Sequence, residues 1–298
     1  MRGWARTVAT AAVHVADRPS LWLPGGLAWV LTVGWLVLLI GVARTPTIAE
    51  LTFFGAGFYT SGAWPWNLVA VAGGTGLALA FALALVAVAE ATLLRGTRAN
   101  AEGAGRVMLL SVLCALPVLG AVAALAVGFG AVAQAEFNSP QDGGGPLARI
   151  VLRLLPLVIV ALLAVVAGAA IHAAAARRAV RGRSILGSLR DAPVLLARAG
   201  TAALAQAVAL NAMRLAFAGL AALLMRVLWA PIENRLALNG IDAAAMLLLV
   251  GFVAIWLCLV LAGGALHAWG SVSWTGVLGA GAIDRGASQD EMEPSTQP

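Results

Sequence analysis

Lysine is absent from this 298-residue chain, and all nineteen basic positions are arginine. Without lysine there can be no GxxxxGK[ST] phosphate loop, and Gly73-Gly74-Thr75-Gly76 reads as close helix packing rather than a nucleotide cradle. Three histidines, at 14, 172 and 267, form neither HxxxH nor HExxH spacing, so no zinc helix is visible and no metal is expected. The two cysteines, Cys114 and Cys258, fall in different apolar runs and read as small buried side chains rather than a disulfide. Charge is scarce: 11% of residues are Asp, Glu, Lys or Arg, and 61% are hydrophobic. A soluble domain carries about 25% charged and about 45–50% apolar residues. A core cannot absorb that excess, so the solvent implied for much of this chain is lipid.

Crossing ~30 Å of hydrocarbon at 1.5 Å per residue takes about 20 residues. Runs of that length occupy 21–43, 67–94, 107–135, 147–176 and 243–269. A sixth, 199–230, contains Gln206, Asn211 and Arg214 and is still read as a crossing, because the last run otherwise falls on the wrong side. Before the first run, Trp4, Val8, Ala11 or Ala12, and Val15 recur at helical spacing. Residues 3–16 therefore read as an amphipathic interfacial helix. With Arg2, Arg6 and Arg18 ahead of a 23-residue run, this N-terminus is not expected to be a cleaved signal.

The arginines sort by loop. Three lie in the N-terminal segment, three in 95–106 and six in 177–198, against single residues Arg44, Arg149 and Arg235 in the alternate loops. That bias places both termini in the cytoplasm of a bacterial inner-membrane protein. The dense stretch ARRAVRGRSILGSLRDA, 176–192, then reads as a cytoplasmic loop that sets topology and meets anionic headgroups, with Arg181 and Arg183 as candidate contacts. No aromatic residue is interleaved with its arginines, so there is no stacking platform and no nucleic-acid partner is expected. Docking of a cytoplasmic or membrane protein on 177–198 is the other reading. Arg95-Gly96, Arg181-Gly182 and Trp269-Gly270 recur after spans two, four and six, which arranges the spans as three hairpins.

An amphipathic N-terminal helix leading into RPSLWLPGGLAWVL, 18–31, and hairpins ending in short turns such as RGRSILGSL, 181–189, carry a resemblance. The chain resembles bacterial six-helix integral membrane proteins of unknown function, similar to the membrane domain attached to some glycerophosphodiester phosphodiesterases. The phosphodiesterase domain itself has no counterpart, since strand–helix alternation and an acidic metal cluster are both missing. The resemblance implies an architecture and a lipid-related or accessory role, not an activity.

Ionisable groups within spans are costly and tend to be functional. Glu90 lies near the cytoplasmic end of span two, and Asn211 and Arg214 share one face of span five at i, i+3. Gln206, Asn211 and Arg214 are candidate donors to an anion or lipid headgroup, with Glu90 as counter-ion. Arg153 and Arg226 sit near the outer ends of spans four and five, where they can snorkel. The outer segment 45–67 is apolar enough for an interfacial helix with an aromatic anchor, and 136–148 reads as a flexible loop. The tail 284–298 carries four acids and one arginine and is expected to be disordered, leaving 1–283 as the transmembrane domain. No cofactor is expected. Membrane lipids are the expected partners of an all-α, non-enzymatic accessory or lipid-handling bundle. The alternative is a permease subunit of a transporter, coupled through 177–198.

Overall fold

The computed structural model describes residues 2–44, 50, 57, 60–63, 65–97, 104–138 and 146–290. Most of the expected interfacial segment 45–67, the centre of loop 95–106, residues 139–145 of the expected flexible loop and the tail beyond Asp290 lie outside them. The described residues are helical almost throughout and include no strand. Among the described residues eight helices follow one another: α1 Arg2–Ala16, α2 Pro19–Val42, α3 Trp66–Thr97, α4 Ala104–Asn138, α5 Pro146–Ala179, α6 Ile185–Ala199, α7 Thr201–Asn239 and α8 Ala243–Asp290. All but α1 and α6 contain a stretch long and apolar enough to cross a membrane. The chain is an all-α polytopic helical bundle and a multi-pass membrane protein, its spans paired as the hairpins α2–α3, α4–α5 and α7–α8.

The chain divides into two compact units. The first comprises residues 1–12, 97–212 and 271–298; the second comprises 13–96 and 213–270. In the second, α2 is the central element. It opens with Pro19 in its first turn, where the missing N–H costs nothing. The indole of Trp22 donates to the Val15 carbonyl at 2.9 Å and fixes the corner with α1. Midway, a π-helical turn spans Val30–Gly34. The buried Trp29 ring lies so close to Gly34 that a Cβ there would strike it, and Thr32 returns its hydroxyl to the Ala28 carbonyl at 2.7 Å. Both features loosen the regular ladder at that point. Trp29 meets Phe217 edge-on and Trp256 at a tilt, and Val37, Ala221, Met225, Ile232 and Phe252 complete this core. Small residues let the backbones touch: Gly25 abuts Gly264, Gly26 lies against Val260, and Gly41 against Met225. With lipid outside, close van der Waals packing of this kind replaces the hydrophobic drive of water-soluble bundles. Ala28 packs on Val86 and Ala89 to close the α2–α3 hairpin.

In the first unit, α4 and α5 pack along their length, with Gly168 against Val118 and Gly128 against Leu157. One end of this hairpin is clasped by Glu136, whose side chain is 1% exposed. Its Oε2 accepts from Arg149 Nε at 2.8 Å, and Arg153 Nη1 stands 2.8 Å from Oε1 as an ion pair off the line of a good hydrogen bond. Arg153 is thus ion-paired as well as near a span end, as is Arg226, which lies 3.4 Å from Glu233.

The segment 177–198 differs from the loop expected of it. Arg177 and Arg178 finish α5, residues 180–184 make a turn, and α6 occupies most of the rest. Gly182 supplies the left-handed residue that the turn needs, with φ 87°. Ser184 caps α6 by accepting from the Gly187 N–H. Ile185, Leu189, Ala192 and Leu196 recur at helical spacing under the arginines, and Ser188 and Ala192 are buried. Similarly, α8 runs on to Asp290, so the first residues of the tail 284–298 are helical.

Candidate functional site

Polar side chains inside the apolar helices collect in separate clusters within each unit. In the second unit the cluster joins α3, α7 and α8. His267 of α8 lies with its Nε2 2.7 Å from Glu90 Oε1 of α3, and their side chains are 10% and 16% exposed. With Glu90 ionised, Nε2 must carry the hydrogen and donate it, because a carboxylate only accepts. Arg214 of α7 lies within electrostatic reach of Glu90 but makes no ion pair with it. Its Nε is buried with no hydrogen-bond partner. Arg214 is about a third of the way along the α7 span, and Glu90 is one turn from the end of the α3 span. Arginine, glutamate and histidine from three apolar helices are thus placed on one carboxylate-centred cluster in a low-dielectric setting.

The first unit holds a denser network. Gln206, 1% exposed, accepts from the Trp4 indole at 2.9 Å and donates to Ser273 Oγ at 2.5 Å. This ties α1 and α7 to α8. Arg177 is buried at the end of α5 and is satisfied mainly by oxygens. Its Nη1 donates to the Ala173 carbonyl at 2.7 Å, its Nε to Thr275 Oγ1 at 3.0 Å, and its Nη2 to the Ser271 carbonyl. Arg177 itself lies in the last turn of α5, where the negative end of the helix dipole favours a cation. Ser111 Oγ of α4 lies 2.9 Å from His172 Nε2 of α5 and also 2.9 Å from the Val107 carbonyl. A hydroxyl that gives its proton to that carbonyl is not activated by the imidazole.

Of the residues expected to bind an anion, Glu90 and Arg214 lie in the second unit, and the charge of Glu90 acts on Arg214. Gln206 is engaged by Trp4 and Ser273, and Asn211 donates to the Ala207 carbonyl of its own helix at 2.8 Å. Arg181 and Arg183 are exposed in the turn between α5 and α6. His267 and Arg177 were not singled out by sequence reasoning. His267 is 177 positions from Glu90, and Arg177 is 94 from Ser271, so neither pairing leaves a local spacing to read. Among the described residues no group of three His, Cys, Asp or Glu side chains could hold a metal ion. Comparison with family models, curated proteins and solved structures gives no match.

Proposed function

We propose that this is a non-enzymatic, lipid-handling accessory protein of the bacterial inner membrane, with both termini cytoplasmic, and that Arg214 holds an anionic headgroup. One observation carries the headgroup assignment: the buried Nε of Arg214 has no hydrogen-bond partner although Glu90 lies within electrostatic range. Guanidinium offers five donors in a planar fork that matches phosphate oxygens. A donor left dry in an apolar bundle costs free energy that a phosphate-type oxygen would recover. Exposed Arg181 and Arg183 at the arginine-rich end would attract the same lipids to the surface without selecting among them.

The test is native mass spectrometry of the full chain, extracted gently with its lipids. Anionic phospholipid should be retained by the wild type and lost by at least about fivefold, the low end of typical site couplings, in Arg214→Gln. Equal retention by the two proteins would refute the assignment. A second reading, the permease subunit coupled through 177–198, is supported by α6 being a discrete helix flanked by exposed arginines. A nucleotide-binding protein recovered in stoichiometric amount in the same spectra would favour it.

A further inference from the structure

The helix α6 has an inward side and two outward flanks. The inward side, with Ser188 and Ala192 buried, packs along α5. At 3.6 residues per turn, Leu186, Pro193 and Ala197 make one exposed stripe, at i, i+7 and i+11. Exposed Arg190 borders that stripe, and Val194 and Arg198 lie beyond it on the second flank. Leu186 is 78% exposed and Val194 50%. The one acid of α6, Asp191, is half-buried and lies past Arg198, so the helix turns no carboxylate toward the apolar stripe. Large apolar side chains opposite a packed face are out of place in water. They suit a helix lying in a bilayer surface, where arginine stems follow the acyl boundary and their charges reach the headgroups.

The neighbouring segments restrict where α6 can lie. The membrane-length apolar stretch of α5 ends at Ala179, and that of α7 begins at Thr201. The turn 180–184 is all that precedes α6, and Gly200, at φ 54°, is the one residue that follows it. A helix of 15 residues, about 22 Å long, is thus tied at both ends to segments that enter the bilayer.

We propose that α6 is seated in the anionic lipid surface at the arginine-rich end of the spans, with Leu186, Pro193 and Ala197 at the acyl boundary and Arg190 and Arg198 among the phosphates. The inference goes beyond the Arg214 site and does not rest on it. It also decides between the two readings of 177–198, because a face held by lipid is closed to a coupling protein. Charge complementarity selects the lipid: each arginine close to an anionic surface strengthens attachment by about fivefold.

The experiment uses the full chain with Cys114 and Cys258 changed to alanine, reconstituted in vesicles of phosphatidylcholine and phosphatidylglycerol. Nitroxide labels are placed singly on Leu186→Cys, Ala197→Cys and Arg198→Cys, all at exposed positions. Collisions are measured with oxygen, which concentrates in hydrocarbon, and with a water-soluble nickel chelate. Labels at 186 and 197 should lose collisions with nickel and gain them with oxygen, while the label at 198 stays open to nickel. If 186 and 197 meet nickel as often as 198 does, the stripe faces water and is open to a protein partner, which overturns the proposal. Shielding of 186 and 197 from both reagents would mean that protein covers the stripe, and would overturn it equally. Vesicles of phosphatidylcholine alone should raise nickel collisions at 186 and 197, as should Arg190→Gln in the mixed vesicles. Unchanged collisions in both cases would overturn the anionic assignment. Arg214→Gln should leave every one of these collisions unaltered, so the headgroup reading of Arg214 and the seating of α6 fail separately.

Discussion

Replacing Arg214 with leucine would remove a positive charge that acts on the Glu90 carboxylate, which His267 also holds. A broken buried pair costs about 3–5 kcal/mol in soluble proteins. Arg214 and Glu90 act on each other without direct contact, and polar pairs in membrane bundles are worth about 0.6–2 kcal/mol. Arg214→Leu should therefore destabilise the detergent-solubilised protein by about 1–2 kcal/mol, read as thermal unfolding followed by tryptophan fluorescence. Adding Glu90→Gln removes the carboxylate charge that Arg214 acted on and should restore part of that loss. A double variant no more stable than the single would show that the two side chains do not interact. Glu90 and Arg214 were legible in the sequence because a charge inside an apolar run is conspicuous by composition alone. His267 was not, because its role lies in a partner on another helix, and single histidines show no period.

At the scale of elements, the glycines of α2 and α8 sort by environment. A Cβ on Gly264 would collide with the Trp22 carbonyl and with the Gly26 amide, whereas one on Gly251 meets nothing within 4 Å. Gly264→Ala should push α2 from α8 and lower stability by about 1–3 kcal/mol, the usual cost of overpacking, as measured by thermal unfolding. Gly251→Ala should leave it unchanged or raise it slightly through helix propensity. The start of α8 gives a pH-dependent element. Asp242 caps it, its Oδ1 accepting from the Ala245 N–H at 2.7 Å. That hydrogen bond first, and the Arg235 charge second, hold its carboxyl below the usual aspartate range. A lowered carboxyl stabilises the cap above its ordinary pKa, and the contribution disappears as pH falls through the lowered value. Amide exchange of Ala245, corrected for its intrinsic pH dependence, should accelerate on acidification in the wild type. Asp242→Asn keeps a capping oxygen without the titration, so its protection should not change with pH. Caps of this kind can be read from a sequence, since Asp before an apolar run is a start signal. The π-helical turn of α2 could not, because it depends on where the Trp29 ring packs. Nor was α6 read in advance: six arginines across 177–198 made a solvated loop the simpler reading, although Ile185, Leu189, Ala192 and Leu196 have helical spacing.

For the whole molecule, the six spans were legible because run length and composition determine which helices can cross a bilayer, whatever their neighbours. The division into two compact units was not, because it depends on which distant segments touch. Orientation rests on the arginines, with twelve in the N-terminal segment, 95–106 and 177–198 against three in the alternate loops. Positive loops resist translocation, so the turn before α6 should face the cytoplasm and the turn before α8 the outer side. The two turns are separated by a single apolar crossing, α7, since α6 is too short to span. Cysteines placed at Arg181 and at the exposed Ile241, in a background with Cys114 and Cys258 changed to alanine, measure this directly. A membrane-impermeant maleimide should label Ile241→Cys in intact cells and Arg181→Cys only in inverted vesicles. The reverse pattern would turn the molecule over while keeping six spans. Labelling of both from one side would remove α7 as a crossing, and the three-hairpin arrangement with it.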